Sequence, residues 1–175
     1  PLKSFDNLQK NFTIGLVGSI NCMKNFKNLI KVCEDINKFG KYGKIKIIHI
    51  GKTPSDVFVN PILSFEGYLE EKQFIKKLNE FDIGYLNWDF NEKYRTTVLT
   101  SFPLKVHTYI QAGVPLLAVG PTDSSIIKFV NENNCGLSII EQNYKPLYVG
   151  LSKLLDNKEY LNNYSKSINQ LRSKF

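Results

Sequence analysis

Several things are missing from this sequence, and each absence closes off a class of protein. No apolar run approaches the roughly 20 residues that a membrane-spanning helix needs. The opening residues, PLKSFDNLQKN, have no apolar core, so no secretory signal is read there. The chain opens on Pro rather than Met, as expected of a piece of a longer protein. Its three cysteines, Cys22, Cys33 and Cys135, are odd in number, widely spaced and without a CxxC pair. That excludes a disulfide framework and leads us to expect buried, reduced thiols in a cytoplasmic protein. The only two histidines, His49 and His107, stand far apart with no acidic partner nearby, and no paired-Asp motif is present, so no metal site is expected. His49 lies inside the apolar run IKIIHIG and reads as a core or strand-end residue. GxGxxG is absent, and no GK[ST] follows a glycine-rich loop, which removes the dinucleotide fingerprint and the P-loop. Repeats and low-complexity segments are absent as well.

The net charge is +7 and the pI about 9.2. The lysines are scattered through KSF, KNFKNLIK, GKYGKIK and KQFIKK, without a basic block, zinc spacing or RNA-binding signature. They read as a solvated surface rather than a nucleic-acid face. A basic cleft for an anionic small molecule, or contact with an acidic membrane surface, fits as well.

With 175 residues, 42% of them hydrophobic, the chain is long enough for one domain with a proper core, taken here as residues 1–175. Apolar runs alternate with helical stripes. Strands are expected at 12–18, 44–51, 61–67, 82–88, 115–120 and 136–140. Helices are expected at 24–39, 69–81, 103–112, from Asp123 or Ser124 to near Gly136, at 144–157 and at 158–175. A polar loop is expected from Asp89 to Thr100. Strands alternating with helices imply parallel strands and right-handed crossovers: an α/β, three-layer, Rossmann-like doubly wound sheet of about six strands. The strands are nearly continuous apolar runs, as befits a sheet covered on both faces. Ligands of such sheets bind beyond the strand C-termini, at the switch point.

The loops at that end hold the candidate residues. Gly18 allows close backbone approach, and Lys24 stands at a helix start, where a bound anion would relieve its conflict with the dipole. Gly67 turns the chain before Tyr68, which either packs beside a planar base or lies on the surface. Glu70 and Glu71 suit a helix first turn. Trp88, Asp89 and Arg95 belong to a long polar loop; they either line a pocket or dock a partner domain. The segment SFPLKVHTYIQAGVPLLAVG, 101–120, places the N–H groups near Phe102, Leu104 and Lys105 at a helix start, after Pro103, able to bind a diphosphate. Thr108, one turn further, either bonds a sugar hydroxyl or faces solvent.

At these residues the chain resembles the C-terminal, donor-binding domain of GT-B glycosyltransferases, in the large retaining group 1 family that includes capsule, O-antigen and lipopolysaccharide enzymes. FTIGLVGSINCMKNFKNLI is similar to that family's first strand, loop and helix, and FEGYLEEKQFIKKLNEFDIGYL to its third strand, turn, helix and fourth strand. SFPLKVHTYIQAGVPLLAVG, with its Ala-Gly-x-Pro turn, is the most specific match. The resemblance implies donor-diphosphate binding by Gly18, Ser19, Lys24, Phe102, Pro103, Leu104 and Lys105. It implies nucleoside binding by Gly67, Tyr68 and Thr108, and a place near the transferred sugar for Thr100. Three residues depart from the pattern: Ser19 stands where the family has Arg, and Thr100 and Thr108 stand where many members have glutamates. The implied function is transfer of a hexose from a nucleotide-diphosphate sugar, with retention, to a glycan or lipid-linked acceptor in bacterial cell-surface polysaccharide synthesis. The donor is a substrate, and no cofactor is implied. No catalytic residue can be named in this chain. The partners implied are the nucleotide sugar and an N-terminal acceptor domain of the same chain, with peripheral association at the inner face of the membrane. The isolated half is expected to be inactive. A sugar-nucleotide epimerase and a non-catalytic interaction module on the same fold remain the alternatives.

Overall fold

The computed structural model describes Phe5 and residues 11–40, 42–52 and 60–174. Among them six strands form one sheet: β1 (Asn11–Val17), β2 (Lys44–Ile50), β3 (Leu63–Phe65), β4 (Ile83–Asn87), β5 (Leu116–Val119) and β6 (Gly136–Ile139). The helices are α1 (Met23–Phe39), α2 (Glu71–Leu78), α3 (Arg95–Thr100), α4 (Leu104–Ala112), α5 (Ser125–Asn133), α6 (Tyr144–Asp156) and α7 (Lys158–Arg172). Every pairing is parallel, in the order β3-β2-β1-β4-β5-β6. The chain winds outward from β1 to one edge, then returns to the other side of β1 through β4. That reversal places the switch point between β1 and β4.

The strand side chains alternate between two cores with the period-2 pleat. Ile14, Leu16, Ile45, Ile47, Ile83, Tyr85, Leu117 and Val119 face one core, with Phe26, Leu29 and Cys33 of α1 and Leu147 and Leu151 of α6. Ile48, Ile50, Leu86, Trp88, Leu116 and Ala118 face the other, with Val106, Tyr109 and Ile110 of α4 and Ile126, Ile127 and Val130 of α5. Helix α7 gives Leu161 to the first core and Ile168 and Leu171 to the second. Both sheet faces are therefore covered, which is why the strands read as unbroken apolar runs.

Helix ends follow local rules. Gly40 and Gly113 stop α1 and α4 in the left-handed region, at φ 62° and 73°. At α5 the stop is Asn134, φ 45°, not Gly136. Gly136 instead opens β6, where a Cβ would lie 2.0 Å from the Leu116 carbonyl oxygen.

Three expectations about this region change. The segment read as a polar loop, 89–100, contains a 3-10 turn at Glu92–Tyr94 and then α3. Helix α2 is shorter than its apolar pattern, Glu71–Leu78 rather than 69–81. Ser124 takes the N-cap position of α5 without a side-chain cap bond, its hydroxyl buried with no partner, while Asp123 is drawn away to Arg95. Among the described residues no helix is long and apolar enough to cross a membrane.

Candidate functional site

Strands β1 and β2 pair over seven residues, but β1 and β4 pair only at Ile14–Ile83 and Gly15–Gly84. Beyond that point the two strands part and open the crevice. The gap has a specific filler. Gly15 and Gly84 lie on the second-core face, where a Cβ would fall 1.8 Å from the Phe81 ring and 2.7 Å from the Tyr109 ring respectively. The two glycines let both rings lie close against the sheet. The Tyr109 hydroxyl then accepts from the Val17 N–H at 2.9 Å and donates to the Gly15 carbonyl at 3.2 Å. Burial pushes the Tyr109 phenol above its ordinary range, so it stays protonated. One side chain thus satisfies a β1 backbone group that β4 no longer reaches, and fastens α4 over the crevice.

Two buried asparagines bind the other side. Asn25 Nδ2 donates to the Trp88 carbonyl at 2.9 Å, and Asn87 Nδ2 to the Cys22 carbonyl at 2.8 Å. They couple the loop after β1 to the end of β4. Sequence reasoning missed both; the only signal was an amide inside an otherwise apolar stripe or strand.

The loop after β1 turns at Gly18, φ 74°, with nothing within 4 Å of a Cβ placed there, so glycine is needed for the backbone angle rather than for space. His49 is fully buried, and its Nε2–H donates to the Gly18 carbonyl at 2.7 Å, which makes it the core histidine the sequence indicated. Burial holds its pKa below the usual imidazole value. Gly18 N–H donates to Ile50, and Gly51 N–H to Gly67, each at 2.8 Å. The turns after β1, β2 and β3 are thereby tied edge to edge.

Across the crevice lies the start of α4. Lys105, in its first turn, extends its ammonium to the Ser19 carbonyl at 2.7 Å. The fold therefore brings together Gly18, Ser19 and the 103–105 segment, which are 86 residues apart at the Lys105–Ser19 contact. Burial lowers the Lys105 pKa to about 8. Helices α1, α4, α5 and α6 all begin without a side-chain cap and without an acidic residue in the first turn. By contrast α2 has Glu71 in its first turn, and α7 has Glu159 and a capping Asn157. The crevice end of the sheet is therefore faced by uncapped helix starts and by Lys24 and Lys105, a combination that attracts anions.

The other candidates fall as follows. Lys24 is exposed in the first turn of α1. Phe102 packs edge-on against Phe129, ring centroids 5.0 Å apart. Leu104 is exposed. Tyr68 is 85% exposed after Gly67, whose φ is 66°. Glu70 is the N-cap residue of α2, but its side chain makes no cap bond. Thr108 is half-buried one turn into α4. Thr100 ends α3, and its hydroxyl donates back to the Thr96 carbonyl at 2.8 Å. Trp88 is buried in the second core and leaves the surface to its neighbours. Asp89 and Arg95 do line a cavity, of about 270 Å³. Arg95 forms a two-pronged ion pair with Asp123 across its edge. Cys22, Cys33 and Cys135 are buried and free, as the sequence indicated. Among the described residues no group of three or more His, Cys, Asp or Glu is placed to hold a metal.

No protein-family model and no curated protein matches the chain. Solved structures do. The C-terminal domain of LpcC, a glycosyl transferase group 1 family protein from Francisella tularensis, aligns at 14% identity and TM-score 0.68, over 99% of this chain and 94% of that one. WaaG, a glycosyltransferase involved in lipopolysaccharide biosynthesis, aligns at 15% identity and TM-score 0.67, over 95% of this chain. Anabaena HepE in complex with UDP-glucose aligns at 12% identity and TM-score 0.68, over 94% of this chain. The chain spans 44% of the length of both WaaG and HepE. A putative UDP-N-acetylglucosamine 2-epimerase from Listeria monocytogenes has the same fold, at TM-score 0.59. The fold is that of the C-terminal half of GT-B glycosyltransferases.

Proposed function

We propose that this chain is the nucleotide-sugar-binding half of a glycosyltransferase. One observation carries the reading: at the switch point of the sheet, Lys105 at the uncapped start of α4 meets the Ser19 carbonyl of the loop after β1. An ammonium ion and free helix N–H groups there have no acidic side chain in the first turn to satisfy them. A nucleoside diphosphate would supply the missing negative charge, with Gly18, Ser19, Lys24 and the 102–105 segment as its ligands. Gly67, Tyr68 and Thr108 would flank the nucleoside. HepE, of the same fold, is seen with UDP-glucose.

Chemistry in this half would be electrostatic. As the bond from the sugar to the diphosphate breaks, charge builds on the departing oxygen, and Lys105, Lys24 and the α4 N–H groups would stabilise it. Thr100 gives its proton to Thr96, so toward a sugar it offers lone pairs only. It would accept from a sugar hydroxyl with the polarity of a carboxylate but without the charge. The acceptor site and the rest of the machinery would belong to a second domain, with retention of configuration and a glycan or lipid-linked acceptor in cell-surface polysaccharide synthesis at the membrane's inner face. The isolated half would bind without turning over.

Calorimetric titration with UDP, GDP and their glucose and N-acetylglucosamine conjugates tests this. Saturable binding, weakened by Lys105→Ala and Lys24→Ala, is the expected result. Absence of binding to every nucleotide would favour the interaction module. Interconversion of UDP-N-acetylglucosamine with its 2-epimer by the chain together with its N-terminal half would favour the epimerase.

A further inference from the structure

The buried His49 has no task in the binding described above, yet it holds a place that an apolar residue would fill at lower cost. It interrupts the apolar run of β2, between Ile48 and Ile50, and is fully buried. Its Nδ1 is buried with no hydrogen-bond partner, a cost that leucine or isoleucine would not carry. What the ring gains lies at its other nitrogen. A carbonyl oxygen only accepts, so the 2.7 Å contact with the Gly18 carbonyl puts the proton on Nε2. Burial first, and the nearby Lys105 ammonium as well, hold the ring below the ordinary histidine pKa, so it is neutral near pH 7. The Phe65 ring stands edge-on to it, centroids 5.4 Å apart.

The bond from Nε2 acts on the peptide between Gly18 and Ser19. Gly18 has φ 74°, and a glycine leaves the peptide plane after it freer to rotate than any other residue would. In a trans peptide the carbonyl and the following N–H point in opposite directions. With the Gly18 carbonyl turned inward to His49, the Ser19 N–H turns outward, past the end of β1. Ser19 is exposed, and among the described residues nothing accepts from its N–H. The Lys105 ammonium takes the next carbonyl, that of Ser19, at 2.7 Å. Two successive carbonyls of the loop are thus held from two elements, β2 and α4, and the loop keeps a free N–H on its open side. Half a turn of the Gly18–Ser19 peptide would bury that N–H against the ring and present a carbonyl oxygen, which repels an anion, in its place.

We propose that His49 is a positioning residue for anion binding: by holding the Gly18 carbonyl inward, it fixes the Ser19 N–H as a donor to the diphosphate. The inference rests on the nucleotide reading above and adds the side chain that sets its loop. The test is calorimetric titration with UDP of the wild-type chain, His49→Leu and His49→Gln. Leucine fills the space without the donor, whereas the glutamine amide offers an N–H at about the reach of Nε2. UDP affinity is expected to fall at least about tenfold in His49→Leu, as for a lost hydrogen bond to an anion, and to stay within about threefold of wild type in His49→Gln. A packing role alone predicts the reverse order, with leucine the better tolerated of the two. Two readouts in the wild type do not depend on how the variants fold. Long-range proton–nitrogen spectra are expected to place the imidazole proton on Nε2, and the Ser19 amide is expected to exchange freely with water until UDP is added. The inference alone is overturned if His49→Leu binds UDP as tightly as wild type, or if His49→Gln binds it no better than His49→Leu. It is equally overturned if the proton sits on Nδ1, or if the Ser19 amide is already protected before UDP is added. A wild-type chain that binds no UDP overturns the nucleotide reading, and this inference with it.

Discussion

Replacing Tyr109 with Phe removes one oxygen and should cost far more than the same change at Tyr85. Both phenols are fully buried against the same sheet, on opposite faces. The Tyr109 hydroxyl serves the Val17 N–H at 2.9 Å and the Gly15 carbonyl at 3.2 Å, where β1 has lost its pairing with β4. Without it, a buried N–H is left alone, a loss of about 1–3 kcal/mol. For a chain of this size that corresponds to roughly 2–4 °C of melting temperature per kcal/mol, so a drop of about 4–8 °C for a mid-range loss. The Tyr85 hydroxyl is buried beside the Asn87 side chain without a well-formed hydrogen bond, so Tyr85→Phe gives up little and its melting temperature should hold or rise. Urea denaturation and thermal melts of the two variants side by side are the assay. Equal losses, or a larger loss at Tyr85, would refute the idea that Tyr109 closes the gap at the switch point.

Two further predictions rest on the same geometry. Gly15→Ala places a methyl group 1.8 Å from the Phe81 ring and should destabilise by about 3 kcal/mol or more, whereas Gly18→Ala meets no atom and should cost only its backbone strain; chemical denaturation separates them. Lys105, whose pKa is lowered from the ordinary lysine value to about 8, binds fewer protons folded than unfolded between those two values. Its burial penalty on stability is therefore present below about pH 8 and is relieved as pH rises beyond it, while affinity for a diphosphate, which needs the ammonium form, should fall over the same window. Titrations with UDP from pH 7 to 9.5, compared with Lys105→Ala, read that slope, and a pH-independent affinity would contradict it.

Much of the fold was legible in the sequence because the signals were local. Unbroken apolar runs marked the buried parallel strands, and the Ala-Gly-x-Pro turn marked the end of α4 at Gly113. What stayed hidden depends on contacts far apart in the chain. Helix α3 buries only Val98 and is rich in threonine, so no stripe announced it. Asp123 looked like a helix cap because its partner, Arg95, lies 28 residues away. Nothing in the sequence singles out Tyr109, since the pairing of Gly15 with Gly84 that seats its ring appears only with the strand register. The candidate site was half visible. The loop after β1 and the start of α4 were named from their residues, but the Lys105–Ser19 contact that joins them required the folded chain.

The central claim is tested most directly by mapping backbone amide shifts of this chain on titration with UDP. Saturable shifts centred on Gly18, Ser19, Leu104 and Lys105, lost in Lys105→Ala, are the predicted result. Shifts confined to the opposite, N-terminal ends of the strands, or none at a concentration that saturates a C-terminal GT-B domain assayed in parallel, would contradict it.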